Sequence, residues 1–199
     1  MRKIVIGLLS LTLCAIAVGA MWVVRADDDP LKFTARLDGF QEVGALNNET
    51  GAIFTPGKGS LKLTVDRKAQ SLSFELTYSD LSAAVTQSHI HFGRVHTPGG
   101  IMVFFCSNLT TAPAGTQPCP ANGGTVTGTL SAGNVQAIAG QHVSAGDFDA
   151  VVQALLTNSA YANVHTTAFP AGEIRGQIIL ERRRGEGDRR WGPPSPRER

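Results

Sequence analysis

The chain has little of what catalysis or a large aromatic core would use. Aromatic residues make up 7% of its 199 positions, with two tyrosines and two tryptophans, and charged residues make up 17%. Its three cysteines, Cys14, Cys106 and Cys119, include no C-x-x-C pair, which argues against a thiolate zinc ribbon and a cysteine-rich module. No serine stands in a Gly-x-Ser-x-Gly elbow and no glycine-rich phosphate loop opens a helix, so acyl transfer and nucleotide chemistry lack their usual signatures. Positive charge is missing where nucleic acid would need it. Residues 27–180 hold 8 basic against 12 acidic side chains, a net charge of −4, and no nucleic-acid partner is expected.

The basic charge lies at the ends. Arg2 and Lys3 precede an uncharged, mostly apolar run over residues 4–24, followed by Arg25 and the aspartates 27–29, the layout of an export signal. A cut after Ala26 leaves Val24 and Ala26 at the two positions that matter, and a cut after Ala20 is a second option. The run also approaches the ~20 residues that span a bilayer, so an uncleaved N-terminal anchor stands as the alternative and would be the chain's one membrane contact. Residues 181–199 carry seven arginines against four acids, three prolines and almost nothing apolar besides Trp191. Such a stretch cannot bury enough surface to offset its ordering entropy and reads as a disordered Arg/Pro-rich tail. What remains, residues 27–180, is one exported domain, secreted or held at the cell surface or in a periplasm.

Within it the periodicity is two-fold. Phe33, Ala35 and Leu37 alternate with polar residues; so do Leu61, Leu63 and Val65, and, after a polar turn at 66–70, Leu72, Phe74, Leu76 and Tyr78, which predicts a hairpin. Further strands are predicted over 85–92, 101–106, 126–130, 161–166 and 173–180. Many short strands between Gly and Pro turns point to an all-β, Greek-key or immunoglobulin-like antiparallel sandwich. One segment has helical spacing: Phe148, Val151, Val152, Leu155 and Leu156 predict an amphipathic helix over about 146–157, with Ser144 and Asp147 as its capping box, packed on the core.

Cys106 and Cys119 flank a loop rich in Thr, Pro, Gly and Ala, and in an oxidising compartment they are expected to form a disulfide. The five histidines divide unevenly. His89 and His91 share one face of a predicted strand, and Ile90 takes the other. If His165 lies on a neighbouring strand, three neutral imidazoles converge on one cation, copper or zinc. The bland alternative is a hydrogen-bonded structural cluster. His96 falls in the turn phrase His-Thr-Pro-Gly-Gly and His142 precedes the helix, so neither is expected as a ligand. Glu173 and Arg175 flank Ile174 and are expected to form a structural ion pair.

Phe33-x-Ala-x-Leu with Gln41-Glu42-Val43, the strand at Leu76 to Tyr78, His89-Ile90-His91-Phe92-Gly93, and Ala162-Asn163-Val164-His165-Thr166 with Phe169-Pro170-x-Gly172-Glu173-Ile174-Arg175-Gly176-Gln177 form an ordered set of phrases. Together they resemble the CHRD (chordin) domain. The resemblance covers about residues 31–180 and implies a β-sandwich of exported proteins, acting as a non-catalytic binding or structural module. No cofactor is required on that reading, and the partner would be an extracellular protein or surface ligand. A second likeness, to copper-zinc superoxide dismutases, rests on the His-x-His phrase followed by glycine and on Arg175. It implies a copper or zinc centre with redox activity at His89, His91 and His165. The clustered histidines and aspartate of a zinc loop are not visible here.

Overall fold

The computed structural model describes residues 29–43 and 51–181; the leader and tail readings fall outside them. Among the described residues nine strands form: β1 (Leu31–Asp38), β2 (Lys58–Asp66), β3 (Ser71–Ser79), β4 (Val85–Phe92), β5 (Gly100–Ser107), β6 (Gly124–Ser131), β7 (Ala160–Thr166), β8 (Ile174–Gln177) and β9 (Ile179–Leu180). One α-helix, α1 (Phe148–Leu156), lies between β6 and β7. The all-β class with one helix agrees with the alternation in the sequence.

The strands pair antiparallel in the order β5-β4-β7-β8-β1-β2-β3-β6, with β9 also on β1. The long-range pairs β4–β7, β1–β8 and β3–β6 give Greek-key rather than meander connectivity. The two layers of the expected sandwich are thus joined in one sheet that curls into a nearly closed barrel. Its ends, β5 and β6, are bridged by a side chain: Gln117 Nε2 donates to Phe105 O and Thr127 O, both at 3.1 Å. The disulfide Cys106–Cys119, with Cα atoms 5.0 Å apart, ties the loop that carries Gln117 to β5. At Gly128 a Cβ would lie 2.9 Å from the Phe74 ring and 3.1 Å from Gln117 Nε2, so glycine there lets the bridge sit against the core.

The barrel interior takes one set of alternate residues. Phe33 and Leu37 of β1, Leu61 and Val65 of β2, Leu72 and Leu76 of β3, Ile90 of β4 and Val164 of β7 are all at most 2% exposed. Each such Leu, Phe, Ile or Val contributes about 1.5–3 kcal/mol of hydrophobic stabilisation. The helix adds Phe148, Val151, Val152, Ala154 and Leu155. Its N-cap is Asp147, whose carboxylate accepts from Ala150 N, and not Ser144, whose backbone carbonyl accepts from Asp147 N. The last predicted strand is broken at Ile178, which turns inward to full burial while its N–H bonds to Ala160 O.

Candidate metal centre

Register decides what faces what. His89 of β4 lies opposite Asn163 of β7, and Asn163 lies opposite Arg175 of β8; one step along, Ile90, Ala162 and Gly176 form the neighbouring row. Side chains of adjacent rows point to opposite faces of a sheet, so the histidines stand on the face turned away from the barrel interior. That face is buried too, and every residue of β7 is buried. Two loops lie over it, residues 93–99 and 167–173, together with Glu42, which follows β1.

Each loop is held by the groups that it covers. Arg175 Nη2 donates to the carbonyls of Arg94 at 3.0 Å and Thr97 at 2.9 Å, and its guanidinium carbon lies 3.4 Å over the Tyr161 ring. The Gly99 carbonyl lies 2.8 Å from His91 Nδ1, and the Pro170 carbonyl 2.9 Å from His165 Nδ1. Glycine is required at two places. A Cβ at Gly99 would overlap the Phe92 carbonyl, and Gly172 has φ +130° with Glu42 Oε1 2.5 Å from where its Cβ would stand.

Between these loops the three imidazoles meet. The His89 ring centre is 4.7 Å from that of His91 and 4.5 Å from that of His165, and Phe104 closes on His89 edge-on at 5.0 Å. One nitrogen from each histidine lies within 4.8 Å of the other two. A metal–nitrogen bond of about 2.0–2.1 Å requires donor separations of roughly 3.3–3.5 Å, so closure on an ion draws any two donors together by at most about 1.5 Å.

Protonation favours ligation. A neutral ring has one proton, and in His165 the Pro170 carbonyl draws it to Nδ1, leaving an Nε2 lone pair with no partner. In His91 the shorter contact, to Gly99, draws it to Nδ1 in the same way. Its Nε2 lies 3.1 Å from Asn163 Oδ1, and an ion or the N–H of a rotated Asn163 amide would satisfy the lone pair. Both His89 nitrogens are buried without a partner, and Asn163, whose Oδ1 faces His91 Nε2, is the smallest of the influences on the His89 ring. Backbone carbonyls that fix Nδ1–H are the usual outer support of imidazole ligands. Burial, with repulsion among the rings, pushes His89 well below its ordinary value; burial above all holds His91 at about 4 and lowers His165. All three are therefore neutral at pH 7, the state that ligates.

Glu42 is 3% exposed, and desolvation raises its pKa to about 7 against the opposing pull of Arg175. The expected Glu173–Arg175 ion pair does not form. Glu173 precedes β8, after the left-handed turn at Gly172, so two-residue alternation does not reach it. Its carboxylate accepts instead from Thr55 Oγ1 at 2.7 Å, Ser82 N at 2.8 Å and Thr166 Oγ1 at 2.8 Å. His96 and His142 are exposed turn residues with positive φ, as their phrases suggest. Sequence reasoning missed Tyr161 and Asn163, although both alternate with His165 on one strand and so share its face. A cavity of about 180 Å³ lies elsewhere, at the β5–β6 seam, with Phe104 on its border.

Fold and site together define an all-β barrel module with a buried imidazole cluster on its outer face. The model of the CHRD domain family matches residues 33–178, and the chain belongs to that family. No curated protein sequence and no solved structure is significantly similar to it.

Proposed function

We propose that this CHRD domain works outside the cytoplasm as a binding module, and that it holds one copper or zinc ion on His89, His91 and His165. The observation that carries this reading is His89, fully buried with neither ring nitrogen hydrogen-bonded, beside the unpartnered Nε2 of His165. A buried polar group without a partner costs about 1–3 kcal/mol, and an ion would supply the missing partner for both rings. A structural cluster gives His91 and His165 a role but leaves His89 unexplained. Export is supported by the leader-like residues 1–26 and by the Cys106–Cys119 disulfide, which belongs in an oxidising compartment. Among the described residues no helix is long and apolar enough to cross a membrane.

Binding is favoured over superoxide-dismutase-like turnover. The three rings are 0%, 8% and 5% exposed, which suits retention of an ion better than repeated access by a substrate. The test is elemental mass spectrometry on the protein purified without a metal-binding tag, beside a His89→Ala, His91→Ala double variant whose fold is checked by circular dichroism. Near-stoichiometric copper or zinc, lost in the folded variant, is the expected result. A wild type that carries neither metal and takes up neither on addition would overturn the proposal.

A further inference from the structure

We infer that the centre selects a monovalent over a divalent ion, with Cu(I) as the ion that fits; the inference rests on the three-histidine reading above. The charges around the site decide it. Every donor is a neutral imidazole, and the groups that act on the three rings are one another, Arg175, Asn163 and backbone carbonyls, with no carboxylate among them. A bound ion therefore keeps its whole charge.

A fixed positive charge stands close behind the rings. Tyr161 stacks on His91 with ring centres 4.7 Å apart and planes within 5° of parallel, and Arg175 lies 3.4 Å over Tyr161. The guanidinium carbon is thus no more than about 8 Å from the centre of the His91 ring. Its hydrogen bonds go to the neutral carbonyls of Arg94 and Thr97. Asp38, opposite Arg175 on β1, gives its carboxylate to the N–H groups of Phe40 and Gln41 and to the Gln41 side chain. Glu42 is the carboxylate that acts on Arg175, and it lies beside Asn163; protonated it leaves the guanidinium charge standing, and ionised, above about pH 7, it offsets that charge. The Arg175–Glu42 pair therefore carries between zero and one positive charge. At about 8 Å and an effective dielectric constant of about 20, each further elementary charge on the ion costs about 30-fold in affinity against an uncompensated Arg175.

Coordination number points the same way. Among the described residues the group offers three donors, whereas structural zinc takes four protein ligands. Cu(I) is satisfied by three nitrogens and needs no fourth ligand, and the rings of Phe104 and Tyr161 pack against His89 and His91.

The test is competitive titration of the full chain at pH 8, anaerobically with Cu(I) against a chromogenic Cu(I) chelator, and with Zn(II) against a metallochromic indicator. The same ratio is measured in Arg175→Met and Glu42→Gln. The expected result is a Cu(I) preference in the wild type that widens about 10- to 30-fold in Glu42→Gln, where Arg175 is left uncompensated, and is no wider than the wild type's in Arg175→Met. Should Arg175→Met fail to fold, Glu42→Gln alone decides. Tighter binding of Zn(II) than of Cu(I), or a ratio that neither variant moves, would overturn this inference while leaving the three-histidine site standing. Failure of both ions to bind would overturn the site itself.

Discussion

Replacing His89 by leucine should make the metal-free protein more stable. The ring is fully buried, stands edge-on to Phe104 and His91, and leaves one N–H and one lone pair without a partner. Each such group costs about 1–3 kcal/mol when buried unsatisfied, whereas an apolar side chain of similar size carries no such cost. Part of the gain is returned because leucine fits a flat ring's space imperfectly, by about 1 kcal/mol. The net expectation is a gain of roughly 1–5 kcal/mol, or a rise in Tm of about 3–15 °C for a domain of this size. The assay is urea denaturation of chelator-treated wild type and variant, compared at equal m-value. Saturating Cu(I) should then shift the balance towards the wild type: at 1,000 times Kd it gains about 4 kcal/mol and the variant far less. If His89→Leu loses 1 kcal/mol or more without metal, the histidine is serving packing or a hydrogen bond, and the argument from unpartnered nitrogens fails.

The metal-free protein should also lose stability in acid. The folded pKa of each histidine lies below its unfolded value of about 6.5, so the unfolded chain binds more protons; this stability is complete above pH 6.5 and falls as pH drops toward about 4 for His91, by up to roughly 3 kcal/mol for that ring. Glu42 opposes this, since its folded pKa is raised to about 7 and its contribution, present below about 4.5, is lost as pH rises through 7. Three histidines outweigh one carboxyl, and denaturation curves at pH 4.5, 5.5 and 6.5 should rise in that order; a flat or falling series would contradict the burial of neutral rings. Removing the disulfide by Cys106→Ala with Cys119→Ala should cost about 3 kcal/mol for a loop of this length, measured by denaturation against the oxidised wild type. Gly172→Ala should destabilise by about 1–3 kcal/mol, because its φ of +130° and the neighbouring Glu42 carboxylate both exclude a methyl group.

Much of the fold was legible because it depends on a local period. Alternation marked β1 to β3, including the β2–β3 hairpin whose Leu61 pairs with Leu76 across the predicted turn, and short runs between Gly and Pro turns marked β4 to β7. The same rule put His89 and His91 on one face, and the phrase at 162–166 marked the strand that brings His165 to them. Legibility ended where the chain left regular strands. Glu173 was read as a strand residue and paired with Arg175, but a left-handed glycine turns it toward Thr55 and Thr166, positions set by tertiary contacts. Glu42 gave no chemical signal because its burial is created by Gly172 and Arg175, more than a hundred residues away in the chain. The carbonyls of Gly99 and Pro170, which orient two rings, are backbone groups and leave little trace in residue identity beyond the glycine itself.

The most direct test of the central claim is X-ray absorption spectroscopy of the protein loaded with one equivalent of copper under reducing conditions. The account predicts a first shell of three imidazole nitrogens at about 2.0 Å, with the outer scattering of the rings and no sulfur. A shell of oxygen donors, or one that is unchanged when His89, His91 or His165 is replaced, would place the ion elsewhere and contradict it.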